Sequence, residues 1–271
     1  MSTNGGRWAV LRRVYRSPLF DVFQFALLAL VVIWFFIRST ESLGYNWQWD
    51  RIPGFVLSIS EGGLTWGPLM HGLMVTFKIS GISLVLAFAI GLTTALLRLS
   101  HSFVGRSVAQ FYLETSRNTP LLIQLFFIYF VVGPVIGLER FPSAVLALSL
   151  FEGAYASEIF RAGIVSISRG QREASYSLGL SALDAYRFII LPQAIRRILP
   201  PLTSQAISLI KDSALVSTIA IYDLTMEAQA LIAETFLTFE LWFTVGGMYL
   251  AVTTVLSLFV NYLENRFRIS T

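Results

Sequence analysis

Gln205, Ser208 and Asp212 recur at i, i+3 and i+7, a spacing that sets an amide, a hydroxyl and a carboxyl on one helical face. Ser204 and Lys211 lie beside them, in a stretch that is otherwise apolar. A polar row through an apolar helix either bonds to neighbouring helices or lines a wet passage. Four or five such groups exceed what helix packing needs, so the passage is the favoured reading. Other ionisable groups sit in similarly apolar surroundings. Glu158 and Arg161 are three residues apart and can pair on one face. Glu152, beside Gly153, has no partner nearby in the sequence and is expected either to line a polar cavity or to meet a basic group from elsewhere. Lys78 is explained by a snorkelling stem. A charge at a bilayer centre costs about 2.5–3.5 kcal/mol on insertion scales, so each of these needs a counter-ion or a cavity. Arg117-Asn118-Thr119-Pro120 adds a bend, because Pro120 lacks an N–H and clashes with the preceding turn. Gln124, one turn on, is expected to face the same cavity.

Several chemistries are excluded or weakened. The chain has no Cys, and only His71 and His101 could offer imidazole, so neither a thiolate nor a histidine-rich metal centre is expected. No G-x4-G-K-[ST] phosphate loop occurs, and Ser208 with Lys211 lacks the G-x-S-x-G elbow or histidine of a hydrolase. No catalytic residue is assigned.

The elements that must position these groups are membrane spans. Of 271 residues, 55% are hydrophobic and 13% charged, with a mean hydropathy of +0.67, and several long apolar runs imply a polytopic protein. The first run, Leu19 to Ile37, is long enough to span and has no small-residue cleavage site. Further spans are expected over roughly 67–97, 108–132 (interrupted by Pro120), 142–167, 197–221 and 241–263, giving an all-α membrane protein of six transmembrane helices. In the second of these, Ala87, Gly91 and Ala95 form a small-residue stripe suited to close packing. The net charge of +4 matters less than its distribution. The proposed inner segments hold thirteen arginines, including Arg7, Arg12, Arg13 and Arg16, and the outer ones three. That bias puts both termini and residues 168–192 on the cytoplasmic side. Residues 1–40 are then an N-terminal segment with an added span, 41–66 an extracytoplasmic loop, and 67–268 the transmembrane core.

Residues 168–192, SRGQREASYSLGLSALDAYRFIILP, read as two short helices. Ser168 with Gln171 and Ser181 with Asp184 stand at start-signal spacing, Gly179 is placed for a left-handed stop, and Pro192 is expected to end the second helix. Leu178, Leu180, Leu183, Tyr186 and Phe188 make this unit too apolar for a solvated loop.

The same unit carries a resemblance. Glu173-Ala174-Ser175, Gly179 and Ile189-x-Leu191-Pro192 resemble the E-A-A-x3-G-x9-I-x-L-P loop of bacterial ABC-importer permease subunits, with Ser175 for the second Ala. GAYASEIFRAGI from Gly153, RNTPLL from Arg117 and LIKDSAL from Leu209 resemble the polar-amino-acid branch, with Asn118 for a family Gly and Ala214 for a family Ser. The likeness covers about residues 66 to 268. It implies a five-helix type I importer core, to which the first span is added, in a bacterial inner membrane. It implies a substrate pathway drawn from Gln124, Glu158, Gln205, Ser208, Lys211 and Asp212, and a gate or kink at Arg117, Thr119 and Pro120. It also implies ATPase coupling through Gly170, Glu173, Ala174, Gly179, Leu180, Asp184 and Pro192. The implied partners are a cytoplasmic ATPase dimer that binds the ATP and Mg, a second permease subunit, identical or homologous, and a solute-binding protein. That binding protein would meet the outer loops, including the acidic stretch with Asp223, Glu227, Glu234 and Glu240. A polar amino acid is the implied substrate and lipid the surroundings; the chain itself needs no cofactor, and nucleic acid has no place. The alternatives are a scaffold or receptor subunit, or a permease for another small polar solute.

Overall fold

The computed structural model describes residues 18–60 and 63–267. The arginines at 7, 12, 13 and 16 fall outside the described residues. The chain divides into two units, Met1–Gln48 and Trp49–Thr271. Among the described residues of the first lies α1 (Pro18–Leu43), whose described side chains are mostly exposed apolar groups such as Phe25 and Trp34.

The second unit opens with a single 3-10 turn, then α2 (Ile52–Val56) and a hairpin of β1 (Leu57–Ser60) and β2 (Gly63–Trp66). The strands are antiparallel with Leu57 opposite Trp66 and Ser58 opposite Thr65. This short hairpin is an addition to a chain that is otherwise helical among the described residues, as the expected all-α class requires. Leu-Ser-Ile-Ser and Gly-Leu-Thr-Trp alternate with period two around Glu61-Gly62, which is a hairpin pattern. Two long helices then form the centre: α3 (Pro68–Leu99) and α7 (Arg140–Val165). Between them lie α4 (Phe103–Arg117) and α5 (Leu121–Phe126), the latter continuing through a π-helical run at Phe127–Val132 into α6 (Gly133–Ile136). The chain does not merely kink at Pro120: it turns by 108° between α4 and the segment Leu121–Ile136. Three residues, Asn118 to Pro120, leave the helix, so the expected single span is a bent pair.

After α7 come α8 (Arg169–Ser177) and α9 (Ala182–Asp184), which runs through a π-helical segment at Ala185–Ile190 into α10 (Leu191–Asp212) and a 3-10 end at Ser213–Ile219. The second short helix is therefore not stopped by Pro192. Pro192 occupies the first turn of α10, where a missing N–H costs little, and the helix continues. Pro200 and Pro201 lie inside α10. The last elements are α11 (Leu224–Thr235) and α12 (Thr238–Phe267). Of the acidic stretch expected to meet a binding protein, Asp223 and Glu240 are fully buried, Glu227 is half-buried and Glu234 is exposed. Asp223 caps α11 by accepting from Met226 N (2.9 Å), while Leu224 N donates to Thr76 Oγ1 on α3 (3.2 Å). Among the described residues three helices, Pro68–Leu99, Arg140–Val165 and Thr238–Tyr262, are long and apolar enough to cross a membrane, or up to five spans if each bent pair is one.

The tightest packing is between α3 and α7. Ala87, Gly91 and Ala95 are all buried, as the stripe requires. A Cβ at Gly91 would stand 2.8 Å from Ala156 Cβ and 3.0 Å from Gly153 O and Ser157 N. Backbone atoms cannot yield as side chains do. Gly91→Ala should thus destabilise the chain by about 1–3 kcal/mol through overpacking. Gly81, on the same helix, faces open space. Thermal unfolding in detergent should show Gly91→Ala well below wild type and Gly81→Ala near it; equal melting would refute the close contact.

Candidate functional site

Two polar groups are set into the α3–α7 pair. The first lies at the end of the bundle that leads into α8. Arg98 ends α3, Arg117 ends α4, and Glu158 and Arg161 sit a turn apart on α7. Glu158 Oε1 accepts from Arg98 Nη1 at 2.5 Å and Arg117 Nη1 at 3.3 Å; Oε2 accepts from Arg161 Nε and Nη2 at 3.2 and 3.1 Å. The expected Glu158–Arg161 pair is present. Arg98 and Arg117, separated from Glu158 by 60 and 41 residues, were not legible as its partners. Arg117 also stacks over Tyr155, 5.7 Å from the ring centroid. One carboxylate thereby ties the ends of three helices by charge-assisted bonds.

The second group is deeper. Glu152 is 1% exposed. Its Oε2 accepts a bond from Gln205 Nε2 on α10, and Asp212 lies against the same carboxyl. Among the described residues no hydrogen bond reaches Glu152 Oε1 or the buried hydroxyls of Ser80, Ser143 and Ser157. Of the expected row, Gln205, Ser208 and Asp212 are half-buried and Lys211 is exposed. Gln205 and Asp212 thus meet Glu152 across helices. Glu152 was visible in the sequence as a mid-span acid beside a glycine, but its partner was not. Gln124 donates its amide nitrogen to Ser116 O (2.7 Å), Thr119 O (3.1 Å) and Thr119 Oγ1 (2.8 Å), bracing the α4–α5 turn. Among the described residues no cluster of His, Cys, Asp and Glu could hold a metal.

The unit at 168–192 has the expected stop. Gly179 has φ +78°, Gly179 N donates to Tyr176 O (2.9 Å), and Leu180 N donates to Ser175 O (3.1 Å), closing α8 with a Schellman motif. Ser181 Oγ accepts from Asp184 N (3.2 Å) and donates to Asp184 Oδ2 (2.6 Å). Ser168 differs: its side chain makes no cap, and only its carbonyl accepts, from Gln171 N. Gly170, Glu173 and Ala174 lie on the exposed surface of α8, while Leu178 and Leu183 are 82% and 76% exposed around the turn. The unit is anchored by Ile190, Ala194 and Ile198 packing against Ala156 and Ile167, and by Arg197 Nη1 donating to Ser166 O (2.6 Å).

Residues 87–269 match the model of the family described as "binding-protein-dependent transport system inner membrane component". The chain belongs to that family. Among its relatives, the glutamine transport system permease protein GlnP of Escherichia coli (strain K12) is 38% identical over 204 residues, 74% of this chain and 93% of that protein. The probable glutamine ABC transporter permease protein GlnP of Bacillus subtilis (strain 168) is 41% identical over 202 residues, 73% and 93% of the two chains. A crystal structure of an amino acid ABC transporter with histidines aligns with TM-score 0.69 at 36% identity, over 73% of this chain and 94% of that one. The inner membrane component thus has the type I ABC importer permease fold. Its matched region contains both polar groups and the 168–192 unit.

Glu158→Gln in this inner membrane component leaves three guanidinium groups facing one another. The loss of charge-assisted bonds should destabilise it by about 1.5–3 kcal/mol. Arg117, 45% exposed and at the longest distance, contributes less than Arg98. Melting temperatures in detergent should therefore rank wild type, Arg117→Gln, Arg98→Gln and Glu158→Gln in descending order; an unchanged Glu158→Gln would show that the cluster does not hold the helix ends.

Proposed function

We propose that the chain is the transmembrane permease subunit of an ATP-driven importer and forms, with a second permease subunit, the route for a polar amino acid. The observation that carries the reading is the set of polar groups from α7 and α10, Glu152, Gln205, Ser208, Lys211 and Asp212, inside helices otherwise built for lipid. An amino-acid zwitterion is costly to move through hydrocarbon, so its route needs hydrogen-bonding and charged groups of both signs. Family membership and the names of relatives that transport glutamine support the substrate class. Glu158 borders this route as a tie between helix ends, and Arg117, Thr119 and Pro120 shape the turn beside it.

The energy source is a partner. The sequence has no phosphate-binding loop of the G-x4-G-K-[ST] form, so ATP and Mg are assigned to two cytoplasmic ATPase subunits. Residues 168–192 are assigned to docking them: α8 and the Gly179 turn present Leu178 and Leu183 to solvent, and the helix begun at Ala182 runs on toward Gln205. Apolar groups so exposed call for a protein partner. A solute-binding protein delivers the substrate on the opposite face. In this reading the core spans and α1 make six, both termini are cytoplasmic, and the membrane is the bacterial inner membrane.

Uptake of radiolabelled glutamine and other polar amino acids into proteoliposomes holding the complete transporter tests the route. Ser208→Ala and Asp212→Ala should lower uptake at least several-fold while the complex still assembles; wild-type uptake in both would remove α10 from the route. A second variant tests coupling. Gly179 has open space around it but a positive φ, so Gly179→Val strains only the backbone, by about 1–3 kcal/mol. The expected result is insertion with either loss of the ATPase or loss of ATP hydrolysis stimulated by loaded binding protein. Normal stimulated hydrolysis and uptake in Gly179→Val would overturn the coupling role.

A further inference from the structure

At the corner where α3 passes into α4, a cleft of about 690 Å³ is lined by Arg98, Phe103, Arg106, Ser107, Gln110 and Phe111, with Glu114 one turn further along α4. It adjoins a second, smaller cleft of about 390 Å³ that reaches Arg117 and Glu158. Charge at this corner is unbalanced. Arg98, Arg106, Arg117 and Arg161 stand against two carboxylates, Glu114 and Glu158. Glu158 is already shared by three of those arginines. Glu114 accepts from Gln110 Nε2 (2.5 Å) and Asn118 Nδ2 (2.9 Å), so its oxygens serve amides. Arg106 has no ion-pair partner among the described residues and is exposed. Beside this positive surplus, Phe103 and Phe111 are 77% and 75% exposed. The corner lies at the end of a 32-residue span, at the level where a bilayer passes from hydrocarbon to headgroups.

We propose that this corner binds an anionic phospholipid, with the phosphate between Arg98 and Arg106 and an acyl chain along Phe103 and Phe111. A free inorganic phosphate would use the arginines and leave the phenylalanines bare. A zwitterionic lipid would cover the phenylalanines without neutralising the surplus. A second copy of the chain seated here would desolvate Arg106 and leave the corner's positive surplus uncompensated, which is unfavourable. An anionic amphiphile satisfies both surfaces at once, and Ser107 and Gln110 add hydrogen bonds for its ester and glycerol oxygens.

The test uses the full-length chain purified in mild detergent together with the subunits that copurify. Lipid retained after exhaustive washing is extracted and measured, and melting is followed with added phosphatidylglycerol, phosphatidylcholine or inorganic phosphate. Phosphatidylglycerol should be retained by wild type and raise its melting temperature, with phosphatidylcholine and phosphate having little effect. Arg106→Gln, an exposed change, should lower phosphatidylglycerol retention about fivefold, the factor one basic side chain supplies near an anionic surface. Phe103→Ser should lower it with the charge intact. Equal retention in Arg106→Gln, equal stabilisation by phosphatidylcholine or by phosphate, or a disulfide between two copies through Arg106→Cys would each overturn the proposal.

Discussion

The close approach of α3 and α7 is the contact on which the rest of the unit is hung. It exists because Gly91 meets the backbone of α7 at Gly153 and Ser157, with Ala87, Ala95 and Ala156 keeping the seam narrow. Apolar attraction alone would not specify this pairing in a bilayer, where lipid tails are as apolar as leucine; close van der Waals contact between small residues does. The seam also draws polar groups together. Ser149 Oγ donates to Val145 O (2.6 Å) and lies 3.3 Å from Ser83 O across the interface. Glu152 then faces α10 rather than lipid, and Glu158 emerges where the ends of α3 and α4 can reach it.

Burying Glu152 with Gln205 and leaving its other oxygen bare is expensive for a structure that needs only stability. Four side-chain oxygens of this kind, on Ser80, Ser143, Glu152 and Ser157, lie on α3 and α7. Elsewhere α12 and α1 expose apolar side chains of the kind that face lipid, for example Leu250, Phe259 and Phe25. Within the second unit α12 exposes apolar groups while α7 buries Ser149, Glu152 and Ser157, a division made by the choice of residue on each face of a helix.

Local signals are legible in the sequence and distant ones are not. Gly179 as a left-handed stop, Ser181 as a cap, and the Ala87–Gly91–Ala95 stripe depend on residues within a turn or two of one another. Pro192 does not end its helix because proline is tolerated in a helix's first turn, and the π-helical run before it joins the two segments. Pro120 marked a break correctly, but its size depends on Gln124 bonding back across Asn118 and Thr119. The hairpin was overshadowed by the surrounding helices. Asp223 and Glu240 looked like surface acids because nothing local shows that α11 packs under α3 and α12. Of the polar groups, each helix's own row was legible, whereas Arg98 with Glu158 and Glu152 with Gln205 are fixed only by tertiary packing.

Pro200 and Pro201 give α10 a mechanical character. From Ala182 to Ile219 the chain is one nearly continuous rod, and about 35 Å of it separates the Ser181 cap from Gln205 at 1.5 Å per residue. Each proline removes one rung of the hydrogen-bond ladder, so two in succession leave neighbouring carbonyls free and make that turn the softest along the rod. The freed carbonyls are those of Arg196 and Arg197, and just beyond them Thr203 Oγ1 donates to Leu199 O (3.1 Å) and Pro200 O (2.7 Å). A displacement applied at the Gly179 end is therefore transmitted stiffly as far as Leu199 and becomes a change of angle there. The polar row beyond would swing rather than slide.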